Sequence, residues 1–146
     1  MPATPHTRAE AMGLLARARP ERLAELAPDL PGHAMLRAPE TGAVMVQGRQ
    51  GGTGAPFNLG EMTVTRCAVR LDCGAIGHAW VQGRDKGHAR RAAVLDALLQ
   101  TDRAAELAAT ILAPLAADET ARHASQAARA GATRVEFFTM VRGEDE

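Results

Sequence analysis

Between Arg8 and about Ala27, the apolar positions Leu14, Leu15, Ala18, Leu23 and Leu26 recur at helical spacing, which predicts an N-terminal helical segment over residues 8–28. Pro20 splits it into two helices, because proline has no amide to give to an interior turn. Pro28 and Pro31 end it. From Ala34 to Arg49 the apolar runs shorten around Thr41-Gly42, which predicts a hairpin with Met35, Val44 and Val46 on its inner side. A loop, Gly51-Gly52-Thr53-Gly54-Ala55-Pro56, then precedes a long alternating run from Met62 to Leu71. Thr65, Cys67, Val69 and Leu71 fall on one face of that strand, and Val64, Arg66, Ala68 and Arg70 on the other. Asp72-Cys73-Gly74 has the composition of a turn, so a strand from Ala75 to Val81 returns antiparallel, with His78, Trp80 and Gln82 sharing one side.

Beyond Gly83 the period becomes helical. His88, Ala92, Leu95 and Leu99 align on one face, and Asp85 is placed to cap the helix. A break is expected near Thr101-Asp102, with Pro114 as an outer limit to helix in this region. Asp118 is then expected to cap a further helix that Gly131 terminates. The segment from Thr133 to Val141 is β-branched and aromatic and predicts a last strand, with Phe137 and Phe138 on opposite faces. Helices, four strands, helices and a strand do not alternate as in a doubly wound fold. The expected fold is α+β, a single domain over residues 1–146 with a largely antiparallel sheet and packed helices.

Composition narrows the function. Aromatic residues are 3% of the 146, with one Trp, three Phe and no Tyr, so the core is built from Ala, Leu and Val and buries little area per side chain. Help from partner subunits fits such a core. Seventeen basic residues balance seventeen acidic ones, which leaves no overall field for nucleic acid or an anionic membrane. Charges interrupt the first thirty residues and no later stretch approaches a membrane span, so the expected location is the cytoplasm, without membrane insertion. Cys67 and Cys73 flank a turn at a spacing that matches no zinc or iron–sulfur pattern, and ordinary reduced thiols are expected.

Three groups could carry chemistry. Arg49, Gly51, Gly52, Thr53 and Gly54 combine accessible amides with a fixed positive charge, as an anion requires, but the lysine and the strand-to-helix context of a phosphate-binding P-loop are missing. A plain hairpin loop is the other reading. Arg84, Lys86 and His88 stand at a strand-to-helix junction, where helix amides and dipole favour anions. There the alternative is solvated cations and a histidine packed in the first helical turn. Arg66 and Arg70 share a strand face and could grip oligophosphate, or carboxylates across a subunit boundary. The five histidines have no metal-ligand spacing, and neither cysteine has a sequence signature linking it to a base, so no metal site and no catalytic residue is assigned. Phe137, Phe138 and Met140 are candidate interface anchors.

Three of these stretches, GGTGAPFNLGEMTVTRCAVRL from Gly51, WVQGRDKGHA from Trp80 and RVEFFTMVRGED from Arg134, resemble the PhnG family. The similarity runs through the intervening helices, including Ile111-Leu112-Ala113-Pro114. It implies an accessory subunit of the bacterial carbon–phosphorus lyase core, assembled with PhnH, PhnI and PhnJ and with the ATP-binding-cassette-type PhnK and PhnL. The implied reaction transfers methylphosphonate to the ribose C1 of ATP with release of adenine, on a complex that uses ATP with Mg. An iron–sulfur cluster with S-adenosylmethionine would belong to another subunit, and no cofactor to this chain alone. An independent phosphate- or nucleotide-binding enzyme using Arg84, Lys86 and His88 is the competing expectation.

Overall fold

The computed structural model describes residues 7–135. It opens on two short helices, α1 (Arg8–Arg17) and α2 (Pro20–Leu26). Thr7 caps α1 by accepting the Glu10 amide while the Glu10 carboxylate accepts the Thr7 amide, so two otherwise orphaned donors are satisfied. Pro20 is the first residue of α2, where its missing amide costs nothing.

Three strands follow as an antiparallel meander, β1 (His33–Arg49), β2 (Pro56–Leu71) and β3 (Ile76–Gln82), in the order β1-β2-β3. The expected hairpin at Thr41-Gly42 does not form. β1 runs straight through it, pairing Thr41 with Thr65 and Gly42 with Val64. A two-residue turn needs positive φ, and Gly42 does not have it; Gly51 and Gly52 do, so the chain reverses nine residues later. Met35 is correspondingly exposed rather than turned inward, and Val44 and Val46 are half-buried.

β3 pairs β2 only from Ile76 opposite Arg70 to Gln82 opposite Val64, so β1 and β2 continue beyond it as a two-stranded ribbon. From Val64 to Pro56 that ribbon is about 27 Å of strand. The two sheet edges differ. At β3 the backbone is closed by side chains: Asp96 accepts the His78 amide, and Arg8 and Gln100 donate to the Ile76 carbonyl. No strand among the described residues pairs with the outer edge of β1.

Helix α3 (Lys86–Leu98) lies across one face of the sheet. Its buried alanines allow close approach, and closest at Gly77, where an added Cβ would collide with the Ala93 carbonyl oxygen. Cys67, Val69, Leu71, Ala79 and Val81 join α3, Leu15, Leu23 and Leu112 in one core. Both cysteines are free thiols; Cys67 is buried, which pushes its thiol up from the ordinary range, and Cys73 is exposed.

The expected break after α3 is present, and α4 (Ala104–Leu107) follows it. Pro114 does not limit the helix. Residues Ala108–Leu112 form a π turn that leads directly into α5 (Ala113–Ala132), with Pro114 in its first turn. Widening the helix by one residue gives the proline ring room and removes the need for its amide. Asp118 therefore sits inside α5 rather than capping it, and pairs with Arg22. Gly131 lies in the last turn, and Thr133 caps the end. Arg134 and Val135 are not in a strand, and the rest of the expected strand, including Phe137, Phe138 and Met140, lies outside the described residues.

From Ala117 to Val135 every residue except Glu119 is exposed, so α5 beyond Leu115 and Ala116 stands clear of the core. Ion pairs tie its base to α1 and α2: Arg17 to Glu119 at 2.6 Å and Arg22 to Asp118 at 2.9 Å. Hydrogen bonding from the Arg17 guanidinium holds the Glu119 carboxyl below the usual carboxylate range. A lowered folded-state pKa stabilises above the ordinary glutamate value and is lost as pH falls through the lowered one. Thermal melts of the wild type should therefore fall more steeply below about pH 4.3 than those of Glu119→Gln. At neutral pH the variant should lose no more than about 1 kcal/mol. Parallel acid limbs would show that this pair contributes nothing.

Among the described residues no helix is long and apolar enough to cross a membrane.

Candidate functional site

The residues singled out in the sequence occupy three places. The first is the tip of the ribbon. Gly54 donates to the Gln50 carbonyl at 2.8 Å, Gln50 donates to Ala55 at 3.3 Å, and Arg49 folds its guanidinium onto the Gly54 carbonyl at 3.2 Å. Gly51 and Gly52 take left-handed conformations with φ of 60° and 84°. Both glycines and Thr53 are exposed, and Arg49 is held over its own loop.

The second place is the junction of β3 and α3. Gly83 turns the chain with φ of 90°, donating to the Thr63 carbonyl and accepting from the Thr65 hydroxyl, which in turn meets the Thr41 hydroxyl at 3.1 Å. Asp85 caps α3, its Oδ1 accepting the His88 amide at 2.8 Å. Arg84 and Lys86 are exposed, with no ion-pair partner among the described residues. His88 does not join them. It is 4% exposed, and its Nε2 lies 2.8 Å from the Leu15 carbonyl, so the ring links α3 to α1 inside the core.

The third place is the face of the sheet away from α3. Arg66 pairs opposite Trp80 and lies over its ring at 5.6 Å, and the same guanidinium reaches Glu40 on β1 at 3.2 Å. Glu40 also accepts from Arg37 at 2.9 Å, and hydrogen bonds from both arginines, Arg37's first, hold its carboxyl below the usual range. Arg70 lies two side chains further along the same face, exposed and without a partner among the described residues.

The glycine loop and the Arg84–Lys86 junction are separated by the ribbon, and the structure does not gather the candidates into one pocket. Among the described residues no three of His, Cys, Asp and Glu cluster in a metal-holding arrangement. A groove of about 910 Å³ runs between α1, α2 and α5, and the arginine–carboxylate pairs of α5 span it. Sequence reasoning missed Glu40, which organises Arg37 of its own strand and Arg66 of the neighbouring one, and the buried Asp96. Asp96 had a visible signal: it is the one charged residue in the apolar run Ala92 to Leu98, a place that requires a partner.

The chain matches the family model described as "Phosphonate metabolism protein PhnG" over residues 6–143. It is also similar to the Rhizobium meliloti (strain 1021) protein named alpha-D-ribose 1-methylphosphonate 5-triphosphate synthase subunit PhnG. The two are 48% identical over 141 residues, covering 94% of this chain and 90% of that relative.

Proposed function

Because this chain belongs to the PhnG family, we propose that it is an accessory subunit of the carbon–phosphorus lyase core, supporting the transfer of methylphosphonate to the ribose C1 of ATP. In that reaction a phosphonate oxygen attacks C1, the bond from C1 to the base nitrogen breaks, and adenine leaves with the electron pair. Its partners in this reading are PhnH, PhnI and PhnJ, with PhnK and PhnL, in the cytoplasm. The nucleotide with its Mg belongs to the assembled complex, and the iron–sulfur cluster with S-adenosylmethionine to another subunit.

The observation that carries the reading is similarity along nearly the whole chain to a protein named as a subunit of that synthase. The geometry favours it over an independent enzyme, because His88 is bound into the core and the Asp85 carboxylate between Arg84 and Lys86 is engaged in capping α3. The glycine loop and the Arg84–Lys86 turn then serve as contacts within the assembly, with Phe137, Phe138 and Met140 as further anchors.

Adenine release from ATP and methylphosphonate, followed chromatographically, tests the assignment. The chain alone should release none, and adding it to the other subunits should raise their rate at least about tenfold, equivalent to about 1.4 kcal/mol of transition-state stabilisation. A rate from the chain alone matching that of the full set would overturn the accessory reading.

A further inference from the structure

All the helices that touch the sheet do so from one side. The residues of β2 and β3 that belong to the core are Cys67, Val69, Leu71, Ala79 and Val81, and their alternates on the opposite face are absent from it. That opposite face nonetheless carries exposed apolar side chains beside the polar His78 and Gln82. Ile76 and Trp80 are 39% and 51% exposed, and further along the ribbon the Phe57 ring, 44% exposed, lies against Gly48. At the β3 edge Trp80 also borders a cleft of about 200 Å³ that opens toward Met12 and Gly13 of α1 and Ala92 of α3, on the helix side of the sheet.

Among the described residues the charge on this face is positive in surplus. Arg37, Arg66 and Arg70 are three guanidiniums against the single carboxylate of Glu40, which Arg37 and Arg66 already share. Arg70 is left with no partner among the described residues. An apolar row rimmed by surplus arginine matches a surface that offers carboxylates around an apolar anchor. An indole stacked under a guanidinium, as Trp80 is under Arg66, supplies the kind of rigid amphipathic contact that dominates interface energetics.

We infer that this open sheet face docks a partner subunit of the synthase through an acidic segment that lays an apolar side chain against Trp80. The inference rests on this chain being a subunit, and names the face by which it assembles. Carboxylates of the partner neutralise Arg70, and the stacked pair of Arg66 and Trp80 forms the centre of the contact.

Trp80 is the only tryptophan of the chain, so 5-fluorotryptophan labelling gives a single fluorine resonance that reports this face alone. The labelled chain is mixed with the unlabelled partner subunits, and assembly is followed separately by size-exclusion chromatography. The resonance should shift and broaden on assembly. Arg70→Glu should weaken assembly at least about tenfold without changing the melting temperature of the free chain, and Arg70→Lys should restore most of it. Assembly with an unmoved resonance and an indifferent Arg70→Glu would overturn the docking face while leaving the subunit assignment intact. Failure of the wild type to assemble would overturn both. A shift on concentrating the labelled chain by itself would place a second copy there, and would also overturn the inference.

Discussion

Asp96→Ala is expected to destabilise the isolated chain by about 3–5 kcal/mol, because it removes three hydrogen bonds to a buried carboxylate and leaves the His78 amide without an acceptor. For a chain of this size that is a fall of roughly 10–20 °C in melting temperature. Asp96 is 1% exposed, and its two oxygens accept from Arg8 at 2.7 and 3.0 Å and from the His78 amide at 2.9 Å. Removing it leaves the His78 amide with no acceptor and the Arg8 guanidinium with the Ile76 carbonyl alone, and it weakens the joint between α1, β3 and α3. Arg8→Met should cost less, because the Arg8 side chain is half exposed and the carboxylate would keep the His78 amide. Circular-dichroism melts of the two variants and of the double variant measure the coupling. A loss below about 1 kcal/mol for Asp96→Ala would show that the carboxylate is dispensable.

Gly77→Ala should be the next most damaging change. The new Cβ would collide with the Ala93 carbonyl oxygen, 2.5 Å from the Ala97 amide nitrogen and 2.9 Å from the Ala97 Cβ. Two of these neighbours are helix backbone, which moves only with the whole of α3. Overpacking usually costs about 1–3 kcal/mol, and a backbone collision falls at or above the top of that range. Ala97→Gly should fail to rescue the variant, since it removes only the side-chain contact. Recovery of the melting temperature in the double variant would mean that the obstruction was the Ala97 methyl group.

Elements whose signal was local could be read from the sequence. Pro20 starts a helix, Asp85 caps another, and Thr65 to Leu71 alternate because one face of β2 lies under α3. Errors arose where distant residues decide. Thr41-Gly42 has turn-forming composition, yet the hydroxyl of Thr41 meets that of Thr65 and the strand continues through it. Pro114 should limit a helix, but the π turn before it absorbs the missing bond. At the candidate site the residue types were visible and their grouping was not. His88 was already on the apolar stripe with Ala92 and Leu95, a pattern that pointed inward, whereas the stack of Arg66 on Trp80 depends on a register between strands that no single strand encodes.

The outer edge of β1, unpaired among the described residues, has a consequence for the free chain. Register shifts around Arg37 and Pro39 kink its first half, a device that discourages foreign strands, but Thr41 to Arg49 has no proline and carries one charge, at its far end. Copies of the free chain would present this stretch to one another as a template for edge-to-edge growth, with Met45 exposed along it. Under the proposed subunit role, a cell gains by matching the synthesis of this chain to that of its partners, and unmatched copies should be the first to aggregate or to reach the proteases.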